Sequence, residues 1–119
     1  MSDLRTRVEN LNRLVLEGDA MEAFEKYYAD DVVMQEDDED PVQGKEANRK
    51  REEDFFGKVT EFRGAEVKNM AVNEDEGVAM VEWHFDYTHE DWGDMKYDQV
   101  ARQLWNDGEI VHERFYKAV

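Results

Sequence analysis

One stretch constrains this chain more than any other: Val78–Thr88, VAMVEWHFDYT. Ala79, Val81, Trp83, Phe85 and Tyr87 form one file of it, and Met80, Glu82, His84 and Asp86 form the other. Side chains on a strand alternate between faces, so this pattern predicts a long strand with one apolar, aromatic face. An aromatic face of that length has to be covered. The spacing predicts two more strands after it, Lys96–Trp105 and Glu109–Ala118. They are separated by Asp107-Gly108, a pair that accepts the positive φ of a tight hairpin. The C-terminal half therefore reads as an antiparallel sheet.

The N-terminal half supplies the cover. Leu4, Val8, Leu11 and Val15 recur at helical spacing after a Ser2 or Asp3 cap, and Gly18 is the expected stop. Asp19 and Glu22 have the spacing of a capping box for a second helix, whose apolar face would be Met21, Phe24 and Tyr28. A short strand is expected over Asp31–Glu36. A third helix is expected over about Lys45–Phe56, with Ala47, Arg51 and Phe55 on one stripe. Its basic run Arg49-Lys50-Arg51 precedes Glu52-Glu53-Asp54, which predicts local ion pairing. A further strand, Thr60–Asn73, carries Gly64 as a bend or bulge, and Asn73–Gly77 is the turn into the aromatic strand. Helices first and a meander of strands afterwards define an α+β domain, expected to be one domain over residues 1–119.

Charge narrows the function classes. The net charge is −16, from 31 acidic and 15 basic residues. Phosphate neutralisation needs a basic face, so nucleic acid is not an expected partner, nor is an anionic membrane. The 40% hydrophobic content, with 12% aromatics, argues against disorder as the explanation of the charge and leaves an acidic or salt-adapted protein. There is no cysteine, so no thiol nucleophile and no disulfide framework. No apolar run has the length of a signal or a membrane span, and a cytoplasmic location is the expectation. No phosphate-cradling glycine loop or hydrolase nucleophile motif occurs, and no motif requires a cofactor. The acidic run Glu36–Asp40 lacks the spaced ligands and central glycine of a calcium loop and reads as solvated. His84, His89 and His112 have no spacing that demands a metal; His89 falls in the expected turn 88–94.

Three stretches carry a resemblance: Tyr27-Tyr28-Ala29-Asp30-Asp31-Val32-Val33, Gly44-Lys45-Glu46-Ala47, and Trp105-Asn106-Asp107-Gly108-Glu109-Ile110-Val111 running on to Tyr116. With the element order α-α-β-α-β-β-β-β, the chain resembles the nuclear transport factor 2-like superfamily, and within it the SnoaL-like polyketide cyclase group. The resemblance implies a cone-shaped, curved antiparallel sheet wrapped around N-terminal helices, with an internal pocket. It also implies a homodimer through the outer sheet face, where Met80, His84, Val100, Arg102 and Leu104 would lie. Family enzymes such as ketosteroid isomerase and limonene epoxide hydrolase place carboxylates in an apolar cone, where desolvation raises their pKa. Matched motif by motif, the isomerase's general base falls at Glu36. Its oxyanion-stabilising acid falls near Ala101, and the hydrolase's last-strand aspartate near Phe115. Neither Ala101 nor Phe115 can serve those roles, so neither reaction carries over.

The candidate catalytic residues are Glu113 and Glu36. Glu113 lies on the file Val111, Glu113, Phe115 between apolar neighbours and is either functional or held by a structural partner such as Gln103 or Tyr87. Glu36 is either a working acid or base or the first residue of a solvated loop. Candidate ligand contacts are Gln35, Trp83, Phe85, Tyr87, Gln103, Trp105 and Phe115, with core packing as the alternative for the aromatics. The expected ligand is a small, largely apolar molecule, turned over by a cofactor-free isomerase, cyclase or hydratase or simply bound.

Overall fold

The computed structural model describes residues 3–117. The chain runs α1 (Asp3–Leu16), α2 (Ala20–Tyr27), β1 (Tyr28–Glu36), β2 (Val42–Gln43), α3 (Lys45–Gly57), β3 (Val59–Asn73), β4 (Val78–His89), β5 (Gly93–Asn106) and β6 (Glu109–Lys117). The strands form one open sheet in the order β2-β1-β6-β5-β4-β3. The sheet is antiparallel except where β1 runs parallel to β6, a pairing the hairpin signals could not reveal. A hairpin fixes the direction of its own two strands only. β1 is fed by α2 and joins the meander at its far edge, many residues distant in sequence.

The aromatic file of β4 faces inward, with Ala79, Val81, Trp83 and Tyr87 buried and Phe85 half-buried. α1 closes one end of that face: Leu4, Val8, Leu11 and Leu14 pack with Phe24 and Tyr27 of α2 against Val32, Met34, Val81 and Ile110. Each such side chain stabilises the fold by roughly 1.5–3 kcal/mol. The surface ion pairs, such as Arg13–Glu17 at 2.9 Å, contribute about 0–1 kcal/mol each. Core burial therefore dominates, as it must in so acidic a chain. The opposite file, including Met80, His84 and Arg102, lies on the outer face.

Several expectations need correction. The Ser2 half of the expected first cap lies outside the described residues. Asp19 sits at the N-cap of α2 but makes no side-chain capping bond, because its backbone is not in the geometry a capping box needs. Tyr28 belongs to β1, not to the helix face: the backbone turns extended there, and β1 begins three residues early. On α3 the buried stripe starts at Asn48, while Ala47 is exposed. The Asn48 amide donates to the carbonyls of Val42 and Gly44, at 3.0 and 2.8 Å, so the helix is pinned by a polar residue that periodicity alone discounts. The expected local ion pairing is present on α3, Arg49 with Glu46 at 2.7 Å and Arg51 with Glu52 at 3.5 Å, and Arg49 also reaches Glu25 of α2 at 2.6 Å. His89 is not in a turn: it ends β4, buried, stacked on Trp92 at 3.8 Å. Gly64 does mark a register shift in the β3–β4 ladder.

The β5–β6 hairpin turns at Asp107 and Gly108, both with positive φ. The register then slips, from Trp105↔Ile110 to Leu104↔His112. Val111 is the extra residue of this bulge. Ile110, fully buried, takes the inward place expected of Val111, and Glu113 still points inward.

Gly77 and Gly18 separate two costs of losing a glycine. Both have positive φ, but a Cβ on Gly77 would lie 2.8 Å from the Trp105 carbonyl oxygen, whereas Gly18 faces open space. G18A is expected to cost about 1 kcal/mol for the left-handed backbone alone. G77A is expected to cost more than about 2 kcal/mol, because the clash adds to that backbone term. Urea unfolding of both variants checks this; equal losses would show that the β4–β5 contact is slack.

Candidate functional site

The curved sheet and the three helices enclose a cavity of about 980 Å³. One wall is aromatic. Trp83 stacks on Phe85 with ring centroids 5.3 Å apart, and Phe55 of α3 meets Tyr87 edge-on at 5.6 Å. The Tyr87 and Tyr97 hydroxyls are hydrogen-bonded at 2.8 Å. The other wall is polar: Glu113 from β6, Tyr28 and Glu36 from β1, Gln103 from β5, and Arg51 and Glu52 from α3.

Glu113 is 1% exposed. Its partners form a directional chain. The Trp105 indole can only donate, and does so to the Gln103 carbonyl oxygen at 3.0 Å. That fixes the Gln103 amide, whose Nε2 must then donate to Glu113 Oε2, at 2.8 Å. The Tyr28 hydroxyl donates to Oε1. Gln103 is thus the expected partner. Tyr87 is not, since its hydroxyl is engaged with Tyr97, and Tyr28 takes its place. Burial pushes the Glu113 carboxyl up to about 7, against the pull of these two hydrogen bonds and with a further push from Glu52 and Glu36. Burial and the neighbouring Glu113 charge also hold Tyr28 well above the usual phenol range.

Glu36 lies at the end of β1, on the file of buried Val32 and Met34, and lines the cavity. Burial raises its pKa, offset by Arg51 at 3.8 Å. The loop after it is not freely solvated. Arg114 donates to the Asp37 carbonyl at 3.0 Å and pairs with Asp38 at 3.1 Å, and Asp37 Oδ1 accepts from the Lys117 amide. These contacts clamp the mouth of the cavity to β6.

Phe115, Trp83, Phe85, Tyr87 and Gln103 also line the cavity. Gln35 and Trp105 do not. Gln35 is on the odd, outward file of β1 and donates to the Glu39 carbonyl at 2.9 Å. Trp105 lies beneath Gln103 in the core, edge-on to Tyr27 at 5.7 Å, and acts on the site only through Gln103. Sequence reading missed Tyr28, Tyr97, Arg51 and Glu52. Tyr97 could have been found by extending the inward file of β5 back from Gln103. Glu52 could have been found only by knowing that Asn48 is buried, because residues four apart share a helix face. Burial pushes Glu52 up to about 7. Among the described residues no His, Asp and Glu side chains converge on a metal-sized site. Nor is any helix long and apolar enough to cross a membrane.

The SnoaL-like domain model matches residues 8–113. The chain belongs to the SnoaL-like domain family. No curated protein matches this SnoaL-like chain by sequence. Among solved structures, it resembles a candidate SnoaL-like polyketide cyclase from Mesorhizobium loti, with 29% identity, TM-score 0.84, and 95% of this chain and 97% of that one covered. A Xanthomonas campestris protein with a cystatin-like fold shares 13% identity at TM-score 0.84, covering 100% and 92%. An epoxide hydrolase of the LEH-like type from M. tuberculosis shares 14% at TM-score 0.76, covering 97% and 82%. The last two similarities concern the fold alone. Together they agree with the cone-shaped α+β arrangement expected from the SnoaL-like motifs.

The raised Glu113 carboxyl predicts a pH signature. In the unfolded chain it loses its proton near 4.5, in the folded chain near 7. Its contribution to stability is therefore fully present below about pH 4.5 and is lost as pH rises to about 7. Gln in its place mimics the protonated form. E113Q should therefore gain on the wild type between pH 4.5 and 8 by on the order of 3 kcal/mol, read from paired unfolding curves. A difference independent of pH would show that Glu113 is not raised.

Proposed function

We propose that this chain is a cofactor-free enzyme that moves a proton on a small, largely apolar molecule, in an isomerisation, cyclisation or hydration, with Glu113 as the acid-base group. The observation that carries this reading is a fully buried carboxyl on the wall of a large aromatic cavity, with its pKa raised to about 7. A group titrating near neutral pH can both take and return a proton, which is what such reactions require. The aromatic wall of Trp83, Phe85 and Phe115 suits an apolar substrate, and the similarity to the candidate cyclase of M. loti supports the same class. Glu36, nearer the mouth, is the second carboxyl for a two-group transfer.

A second reading has its own observation. Both Glu113 oxygens already accept hydrogen bonds, from Tyr28 and Gln103, as in a satisfied structural carboxyl. On that reading the cavity binds the same class of molecule without turning it over.

Enones, epoxides and linear polyketones incubated with the protein, with products followed by mass spectrometry, separate the two. On the catalytic reading at least one compound is converted. E113Q then loses about 100-fold or more in rate while ligand occupancy, followed by tryptophan fluorescence, is kept. Conversion by E113Q at the wild-type rate would remove Glu113 from the chemistry. Occupancy without conversion across the panel would leave the binding reading.

A further inference from the structure

Two carboxyls of the polar wall differ in what they leave free. Glu113 is 1% exposed, and both its oxygens accept hydrogen bonds, Oε1 from Tyr28 and Oε2 from Gln103 at 2.8 Å. It offers an oxygen to a molecule in the cavity only by giving up one of those bonds. Glu52 is the reverse case. Its one hydrogen-bond partner among the described residues is its neighbour Arg51, whose Nη2 lies 3.5 Å from Oε1. A well-made charged hydrogen bond is about 2.7–2.9 Å long, so this one is loose. Oε2 is left without a donor among the described residues. The Glu52 side chain lines the cavity and keeps 19% of its surface accessible.

The fold gives that side chain a fixed seat. Asn48 is fully buried and donates to the carbonyls of Val42 and Gly44, at 3.0 and 2.8 Å. Residues four apart share a helix face, so Glu52 follows one turn later on the face that Asn48 turns inward. The titratable and charged groups that interact with it are Arg51 on its own helix, Glu36 and Tyr28 on β1, and Glu113 on β6. One guanidinium thus faces three carboxyls. Burial raises the Glu52 carboxyl to about 7, with Arg51 pulling it down and Glu36 pushing it further up. Both its forms are therefore populated at neutral pH, on a side chain that a bound molecule can reach.

We propose that Glu52 is a further catalytic carboxyl of this cavity, the one whose unpaired oxygen meets the bound molecule and takes or returns its proton. This rests on the reading of the cavity as a site of proton transfer. None of the positions matched to the isomerase and the hydrolase, Glu36, Ala101 and Phe115, lies on α3. Glu52 therefore brings acid-base chemistry to the site from the helix side, facing the carboxyls of the sheet. A reaction that takes one proton and returns another uses two such groups. A reaction that only removes a proton needs one, and that one has to be within reach.

The full chain is tested with 5-nitrobenzisoxazole, a neutral aromatic compound that a single base converts. The carboxylate takes the proton from the ring carbon beside nitrogen, the C–H electron pair forms the nitrile, and the N–O bond breaks to give a coloured phenolate. The wild type should be faster than free acetate at equal concentration, with a rate that rises with pH through a midpoint near 7. E52Q should lose about 100-fold in rate while still binding the compound, followed by tryptophan fluorescence. E52D keeps the charge but draws it back from the cavity; it should lose most of the rate and serves if E52Q does not fold. E113Q should move the midpoint of the pH profile down, because a negative neighbour of Glu52 is removed. E53Q, on the exposed side of the same helix, should change neither rate nor midpoint. A wild-type rate in E52Q, with the loss found in E113Q instead, would overturn the assignment of Glu52 and leave proton transfer at Glu113 standing. A wild-type rate no greater than that of free acetate would overturn the assignment and the proton-transfer reading together.

Discussion

The burial of the Glu113 carboxyl is the constraint on which the polar half of this structure depends. A carboxylate removed from water is expensive unless donors replace its hydration. Here Tyr28 and Gln103 are those donors, and Gln103 is held in the donating orientation by Trp105. Trp105 thus influences the electrostatics of a cavity it does not touch. Two donors do not offset complete burial, so the group remains poised near neutrality instead of in the ordinary carboxylate range. The burial and the raised pKa follow from the same placement, the inward file of an aromatic sheet beneath the helices.

The helices set the boundary between core and cavity. α1 and α2 fill one end of the sheet's inner face with Leu, Val, Phe and Tyr, and that end is solid. α3 stands off the other end, anchored through Asn48 and presenting Arg51, Glu52 and Phe55 to the space between. The bulge at Val111 brings Ile110 into the solid end and Glu113 into the open one. Without that extra residue, the two could not both point inward from positions three apart, since strand side chains alternate.

Much of the fold was legible because it follows from local pattern. The alternation in β4, the Asp107-Gly108 turn and the helical stripe of α1 each state their own geometry. Glu113 and Gln103 could be placed inward for the same reason. What was not legible depended on long-range placement. The direction of β1 beside β6 is set by an edge that forms only when the sheet assembles. Tyr28 lies where helix becomes strand, and either periodicity claims it. Arg51 and Glu52 sit where a basic run meets an acidic one, whose simplest reading is local ion pairing, and only the burial of Asn48 turns that face inward. Gln35 and Trp105 were expected among the ligand contacts, Trp105 because it shares a strand face with Gln103. The outward parity of one and the depth of the other exclude them.

The fold holds the Glu113 carboxyl, beside the similarly raised Glu52, poised between its protonated and ionised forms at neutral pH. Carbon-13 NMR of the Glu side-chain carboxyls, with the Glu113 signal assigned by its loss in E113Q, reads that state directly across a pH titration. The account predicts a Glu113 midpoint near 7. A midpoint at the ordinary glutamate value of about 4.3 would contradict it.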